Sequence, residues 1–407
     1  MSATHTTTLD LSAPPVVKLI GRRSLVIGAI ASVLAVGLGF SNPSVFFRGY
    51  LVSFVDWLTV CLGAMAILMI RHLTGGGWGM VIRRVLGAAM RTLPLLALLF
   101  LPLAFLGMPR LYPWAMSLET IQDPRIREHL AHNKFVTIGY LNPRGFMMRA
   151  AIYFAIWYLM VFLLSKWSRQ QDAPPATDNN NRFKAVSGPG LIMLAFTLSF
   201  AAIDWVMSLD PSWISTIYGL LFVAGSLLSG LAFAVVIERI LFRYKPMSLL
   251  LRPSFVHDHG KFMLTFIMVW AYFSFSQWLI IWAGNLPEEI TWYIRRLNGG
   301  WGFVGLFLVL FHFAVPFVLL LSRPLKRDIT KLVWVAAWLL FMHYVDLFWH
   351  IEPSFSPTFT VTWADIVMPF AIGGLWMAYF CRNLNSMPLV PAYDFDAKQV
   401  LEPEHHE

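Results

Sequence analysis

Apolar residues fill the chain in ten long runs separated by short segments rich in Arg, Lys, Pro, Gly and Asn. The runs are bounded by charges, Pro and Gly, and their length matches the roughly 20 residues that cross a bilayer. They predict transmembrane helices near 24–40, 51–70, 85–107, 146–165, 188–207, 214–237, 260–283, 301–321, 331–350 and 362–381, numbered here as spans 1 to 10. The expected fold class is an all-α polytopic membrane protein. Residues 170–182 read as a polar loop and 386–407 as an acidic tail that rests on a neighbour or stays disordered.

Composition agrees with this pattern. At 57% hydrophobic and 13% charged, the chain lacks the polar residues that would clothe a soluble surface, which excludes soluble enzymes. The net charge of +9 does not point to nucleic acid, because the basic residues sit between the apolar runs. With the N-terminus inside, 20 Lys and Arg fall in cytoplasmic segments and 9 on the opposite side, so the positive-inside rule places both termini in the cytoplasm. Arg22-Arg23 before the first run looks like a twin-arginine signal. That run ends in Phe40-Ser41-Asn42-Pro43 without a small-residue cleavage site, so a retained first helix is expected. Cys61 and Cys381 form no redox or haem-attachment motif, and no metal site is expected; His405 and His406 read as part of a solvated tail.

Two segments repeat in order. Asp204, Asp210-Pro211-Ser212-Trp213 at the end of span 5 matches Asp346, Glu352-Pro353-Ser354-Phe355 at the end of span 9, at an offset of 142. Leu141-Asn142 before span 4 matches Leu297-Asn298 before span 8, at an offset of 156. Together they imply two similarly oriented four-helix bundles, 51–207 and 214–350, flanked by peripheral helices at 24–40 and 362–381. A cytoplasmic segment, 1–23, precedes them and a cytoplasmic tail, 382–407, follows.

Ionisable groups at membrane depth are costly and face the bundle interior. The expected topology puts Asp56, Asp204, His343, Asp346, His350 and Asp365 in the outer half or at its boundary, His312 near the middle, and Arg91 and Glu238 toward the cytoplasm. His343, Asp346 and His350 share one helical face, a geometry suited to relaying protons. The plainer reading gives Asp204 and Asp346 the task of tying down the loops that follow them, His312 a place in the core, and Arg91 the carbonyls freed by Pro94 and Pro102 or an acid. The seven-residue spacing of His343 and His350 is wrong for clamping one metal ion.

The most distinctive stretch is 273–296. Ser274, Gln277 and Trp282 offer hydrogen-bonding groups, Glu288 and Glu289 follow Pro287, and Trp292 precedes Arg295 and Arg296. An aromatic belt accounts for part of this, while so many polar groups among aromatics also suit a quinone headgroup or a docked partner.

The run from Gln277 to Arg296, with Gly79-Met80-Val81-Ile82-Arg83-Arg84, Met90-Arg91-Thr92-Leu93-Pro94 and Pro109-Arg110-Leu111-Tyr112-Pro113-Trp114, resembles the ActF membrane subunit of bacterial alternative complex III, a quinol:electron-acceptor oxidoreductase. The likeness runs from about residue 20 to 385, and more distantly the chain resembles NrfD-like polysulfide reductase membrane subunits. This resemblance implies a place in the bacterial cytoplasmic membrane beside a paralogous quinol-binding membrane subunit, an iron-sulfur subunit, haem c subunits and lipids, with electrons passing to cytochrome c or an oxidase. Haem c and iron-sulfur clusters then belong to the partners; this chain binds no cofactor of its own, and quinol is the candidate small molecule. Three functions follow for test: a non-redox oxidoreductase subunit that supports assembly and houses part of a proton half-path, a quinone-binding subunit with its site near 273–296, or an independent secondary transporter.

Overall fold

The computed structural model describes residues 11–133, 139–172, 175 and 178–391. Ten helices are long and apolar enough to cross a membrane: Pro15–Ser41, Pro43–Thr74, Gly77–Leu111, Pro143–Gln170, Asn180–Leu209, Tyr218–Leu241, Pro253–Gly284, Trp301–Leu321, Ile329–Ser354 and Trp363–Asn385. These are spans 1 to 10, and no strand occurs among the described residues. The chain is an all-α, multi-pass membrane protein.

Most spans outrun their apolar cores, because helices continue into the interface, where hydropathy falls. Spans 1, 2, 4 and 7 begin at a proline, which fits the first helical turn since its missing N–H has no partner there anyway. Span 3 starts eight residues earlier than its apolar run predicts, at Gly77. Arg83 and Arg84 lie inside those extra turns, buried but paired: Arg83 donates to Gln171 at 2.5 Å and Arg84 pairs with Asp172. Span 6 starts later, at Tyr218 rather than 214, because Asp210 holds a turn, accepting from the Ser212 hydroxyl at 2.6 Å and, through its carbonyl, from the Trp213 amide.

The spans pack in the two groups that the repeat implies. Span 2 lies against spans 3 and 5, and span 4 closes the ring on 3 and 5; span 6 lies against 7 and 9, and span 8 closes on them. The groups meet along spans 2 and 6. There a Cβ on Gly63 would fall 1.7 Å from the Ser226 carbonyl oxygen and one on Gly230 2.4 Å from the Ala64 nitrogen, so only glycine permits this crossing. Span 1 packs chiefly on span 10, which rests on span 2.

Spans 5 and 9 end alike, each with a turn of tighter helix, Met207–Leu209 and Glu352–Ser354. The loops after spans 3 and 7 each carry a short helix, Pro124–His132 and Pro287–Leu297. At the chain's ends the Leu389 amide donates to the Leu11 carbonyl at 2.8 Å, which puts both ends of the described chain on one side. Within the expected tail, Met387, Leu389 and Val390 are buried, and Leu389 is bonded to the N-terminal segment. Lys134, Lys398, His405 and His406 lie outside the described residues.

Candidate functional site

The equivalent acids Asp204 and Asp346 have different surroundings. In the first bundle Asp204 is fully buried and both its oxygens are taken: Arg149 donates from Nε to Oδ2 at 2.8 Å and from Nη2 to Oδ1 at 3.0 Å, and the Tyr153 hydroxyl donates to Oδ2 at 2.8 Å. Arg149 also donates to the Tyr140 carbonyl and lies over that ring, its guanidinium carbon 3.9 Å from the centroid. A two-pronged ion pair of this kind binds span 4 to span 5 and leaves the carboxylate no lone pair aimed at open space.

In the second bundle Asp346 is buried without a cation. Its Oδ2 accepts from the Trp270 indole N–H at 3.0 Å, and its Oδ1 lies 3.7 Å from Nε2 of His350, one turn further along span 9. The offset of 156 that aligns spans 4 and 8 sets Gly305 opposite Arg149 and Val309 opposite Tyr153. Where the first bundle has an arginine and a tyrosine, the second has a glycine and a valine. The space they leave is a cavity of about 720 Å³ between spans 7, 8 and 9 and the Pro287–Leu297 helix.

Gly305, Val309, Asp346 and His350 all line this cavity, with Trp270, Ser274, Gln277 and Tyr293. Apolar side chains make most of its wall, and Phe275, Leu306 and Val309 are exposed at its rim, on the surface that faces lipid or a neighbour. Gln277 is spoken for, accepting from the Ser215 hydroxyl at 3.2 Å and donating to the Tyr293 hydroxyl at 3.4 Å. Burial pushes the Tyr293 phenol up to about 12, so it keeps its proton at neutral pH. That O–H has no acceptor among the described residues and is a donor at the cavity wall. His350 is boxed by the rings of Tyr218, Phe222, Trp292 and Trp349, centroids 5.3 to 5.9 Å away, with its Nδ1 unpartnered among the described residues.

The shared face of His343, Asp346 and His350 divides in space. His343 is held from span 2, its Nε2 2.8 Å from the Thr59 hydroxyl. Thr59 spends its proton on the Asp56 carbonyl at 2.7 Å, so it must accept from His343, which fixes the proton on Nε2 and leaves Nδ1 bare beside Gly225. His312, in a π-helical turn at Val309–Ala314, packs on Trp270 with centroids 4.2 Å apart and the rings tilted by 35°, and neither of its nitrogens has a partner among the described residues. Trp270 thus touches His312 with its face and Asp346 with its N–H.

Of the candidates in 273–296, Ser274 and Gln277 reach the cavity, while Trp292 and Arg296 lie behind its wall, against His350. Trp292 is buried and stacked on Trp213, and Arg296 lies 3.5 Å above the Trp292 ring while donating to the His350 carbonyl at 2.6 Å. Burial lowers the Arg296 pKa from its usual value, and the carbonyl and ring offset the lost hydration. Arg295 instead ties the two bundles' loops together, 3.1 Å from Asp123 and 3.6 Å from Asp210. Trp282, Glu288 and Glu289 face outward, the two acids in the first turn of their helix, where its dipole favours negative charge.

Of the remaining candidates, Asp56 is buried in span 2 and bonded through its main-chain carbonyl, which accepts from Thr59, and the others have side-chain partners. Asp365 completes a capping box with Thr362 at the start of span 10, accepting from its amide and hydroxyl at 2.7 Å. Arg91 sits where span 3 breaks and donates to the Ser386 hydroxyl at 2.9 Å, bracing the C-terminal segment. Buried Glu238 accepts from His259 at 3.0 Å, and the other nitrogen of that ring is 2.8 Å from the Trp78 carbonyl. Among the described residues no group of His, Cys, Asp and Glu could hold a metal ion. No protein-family model matches the chain, and no curated protein proved similar to it.

Proposed function

We propose that this chain is a non-redox membrane subunit of a quinol:electron-acceptor oxidoreductase of the alternative complex III type, and that its second bundle receives a quinol headgroup. The observation that supports this is the cavity between spans 7, 8 and 9, where an uncompensated buried acid and an imidazole meet a hydroxyl donor inside apolar walls. An aromatic ring carrying two hydroxyls fits that wall chemistry, and its isoprenoid tail fits the apolar rim.

Quinol oxidation yields quinone, two protons and two electrons. Asp346 is placed to accept one proton from a quinol hydroxyl, with His350 beside it to take up or pass on charge, while Tyr293 donates a hydrogen bond to the ring's other oxygen. The electrons leave through partner subunits, which on this reading carry iron-sulfur clusters and haem c and deliver to cytochrome c or an oxidase. From His350 the half-path leads away from the termini, toward Glu352 at the end of span 9, whose Oε1 is buried without a partner among the described residues. The same reading sets the chain in a bacterial cytoplasmic membrane with both termini inside, beside a paralogous quinol-binding membrane subunit.

Photo-labelling of the native complex with an azidoquinone tests the proposal. Adducts within 270–309 are expected; labelling confined to a partner chain would remove the quinol site from this subunit.

A further inference from the structure

On the side of the termini, a groove joins the start of span 1 to the end of span 6 and the start of span 9. It consists of two hollows of about 490 and 290 Å³ that share Tyr244 on their walls. Lys18 and Lys245 line the first, Arg239 and Arg243 the second, and no acid lines either. The nearby carboxylates are engaged elsewhere: Glu238 with His259, and Asp328 with the Thr330 amide and Lys331. None of the four cations has a carboxylate partner among the described residues.

The other flank is apolar. Val16, Ile240, Val333 and Trp334 form it, and Trp334 leaves 76% of its surface exposed on the first turns of span 9. Four cations with no carboxylate partner among the described residues, beside an apolar wall at a membrane-spanning helix's end, match a molecule with an anionic head and hydrocarbon tails. A cation at an anionic membrane surface favours such a headgroup by roughly fivefold. A cluster of four facing one hollow selects it from a neutral background.

We propose that this groove binds an anionic diacyl phospholipid from the adjoining leaflet. Its phosphate lies among Lys18, Arg239, Arg243 and Lys245, and its acyl chains run along Val16, Ile240, Val333 and Trp334. The lipid staples span 1, which otherwise packs chiefly on span 10, to the second bundle. This site lies apart from the quinol cavity and stands whether or not that reading holds.

The test places the full chain in phosphatidylcholine nanodiscs containing a minor fraction of phosphatidylglycerol, with bromine on the acyl chains of one lipid or the other. Subtracting the fluorescence of Trp334→Phe isolates the quenching of Trp334. At equal mole fraction, brominated phosphatidylglycerol is expected to quench that component several-fold more than brominated phosphatidylcholine. Arg243→Gln with Lys245→Gln, both exposed, should abolish the preference, whereas Arg323→Gln with Arg327→Gln, exposed cations on the same side but outside the groove, should leave it. Equal quenching by the two lipids, or equal loss in both double variants, would overturn the proposal. Inorganic phosphate added at constant ionic strength separates the sources of the anion: an unchanged preference supports the lipid, and its abolition would assign the groove to a small free anion instead.

Discussion

Asp204 and Asp346 stand at the same place in spans 5 and 9, yet only Asp204 meets an arginine. The difference arises on the neighbouring span, where Arg149 in the first bundle corresponds to Gly305 in the second. One bundle is locked by a buried ion pair; the other keeps a bare acid beside a cavity. The two groups of spans therefore differ at equivalent positions, and the residues that differ can be exchanged.

Breaking the lock is expected to destabilise the first bundle. Arg149→Leu leaves a fully buried carboxylate without its cation, and Asp204→Asn leaves a guanidinium without its anion; each should cost about 3–5 kcal/mol. Replacing both together should cost less than the two losses added, since neither partner is then left alone. Thermal or denaturant unfolding in detergent measures this, and additive losses would show that the pair does not act as one unit.

Importing the lock into the second bundle is expected to close its cavity. A Cβ on Gly305 would meet nothing nearer than the Trp349 indole at 3.6 Å, so Gly305→Ala should fold as well as the native chain and, in mid-helix, gain about 0.5–1 kcal/mol. Gly305→Arg puts a guanidinium into the cavity within reach of Asp346. Azidoquinone labelling should persist in the alanine variant and vanish in the arginine one. Labelling unchanged by Gly305→Arg would mean that the ligand binds elsewhere.

The ten spans and their pairing into two bundles were legible because a bilayer imposes length and hydropathy directly on sequence. Helix ends were less so: Arg83 and Arg84 read as loop charges but are buried against Gln171 and Asp172. Arg149 lies three residues inside the predicted span 4, and nothing in the sequence marks it as the partner of Asp204. Asp346, His350, Ser274 and Gln277 stood out as polar groups in apolar surroundings, and all four line the cavity. Trp270 and Tyr293 did not, being two aromatics among many, though Trp270, Ser274 and Gln277 recur at helical spacing on one face. A cavity is made by what is missing, and Gly305 carries no mark of that in a single sequence. Glu288 and Glu289 show the converse, since adjacency in the chain did not bring them to the site.

The clamp between the two loop helices should loosen in acid. Burial raises the Asp123 pKa, but the amide and guanidinium of Arg125 and the charge of Arg295 outweigh it and hold the carboxyl below its ordinary range. A carboxyl depressed in the folded state contributes fully above its unfolded value, about 3.9, and that contribution is lost as pH falls through the lower folded value. Cleavage of the 115–133 loop by an acid-active protease should rise across that window. Asp123→Asn, which retains a capping oxygen but no charge, should be cleaved readily throughout and show no such rise.

Both ends of the described chain lie on one side, which the proposed orientation makes cytoplasmic. A green fluorescent protein fused after the last residue should fluoresce, and alkaline phosphatase at the same point should stay inactive. Reporters inserted in the loop after Gly284 should give the opposite pair of results. Active phosphatase at the C-terminus would invert the orientation and, with it, the direction of the proton half-path.

The sharpest contrast is between two conservative substitutions at equivalent acids. Asp346→Asn keeps the size of the side chain and can still accept from Trp270, so the fold should survive, but an amide cannot take a proton from a quinol. Quinol turnover per assembled complex should fall by a factor of roughly 10²–10⁴, the range for losing a general base. Asp204→Asn should lower the yield of assembled complex while leaving turnover per complex near normal, because its loss is one of stability. His350→Gln, which keeps a polar group one turn from Asp346, should fall between the two and shift the pH dependence of turnover. Equal turnover in the native and Asp346→Asn complexes would leave the cavity without a catalytic part, and an equal loss in both acid variants would mean that the two bundles had not diverged.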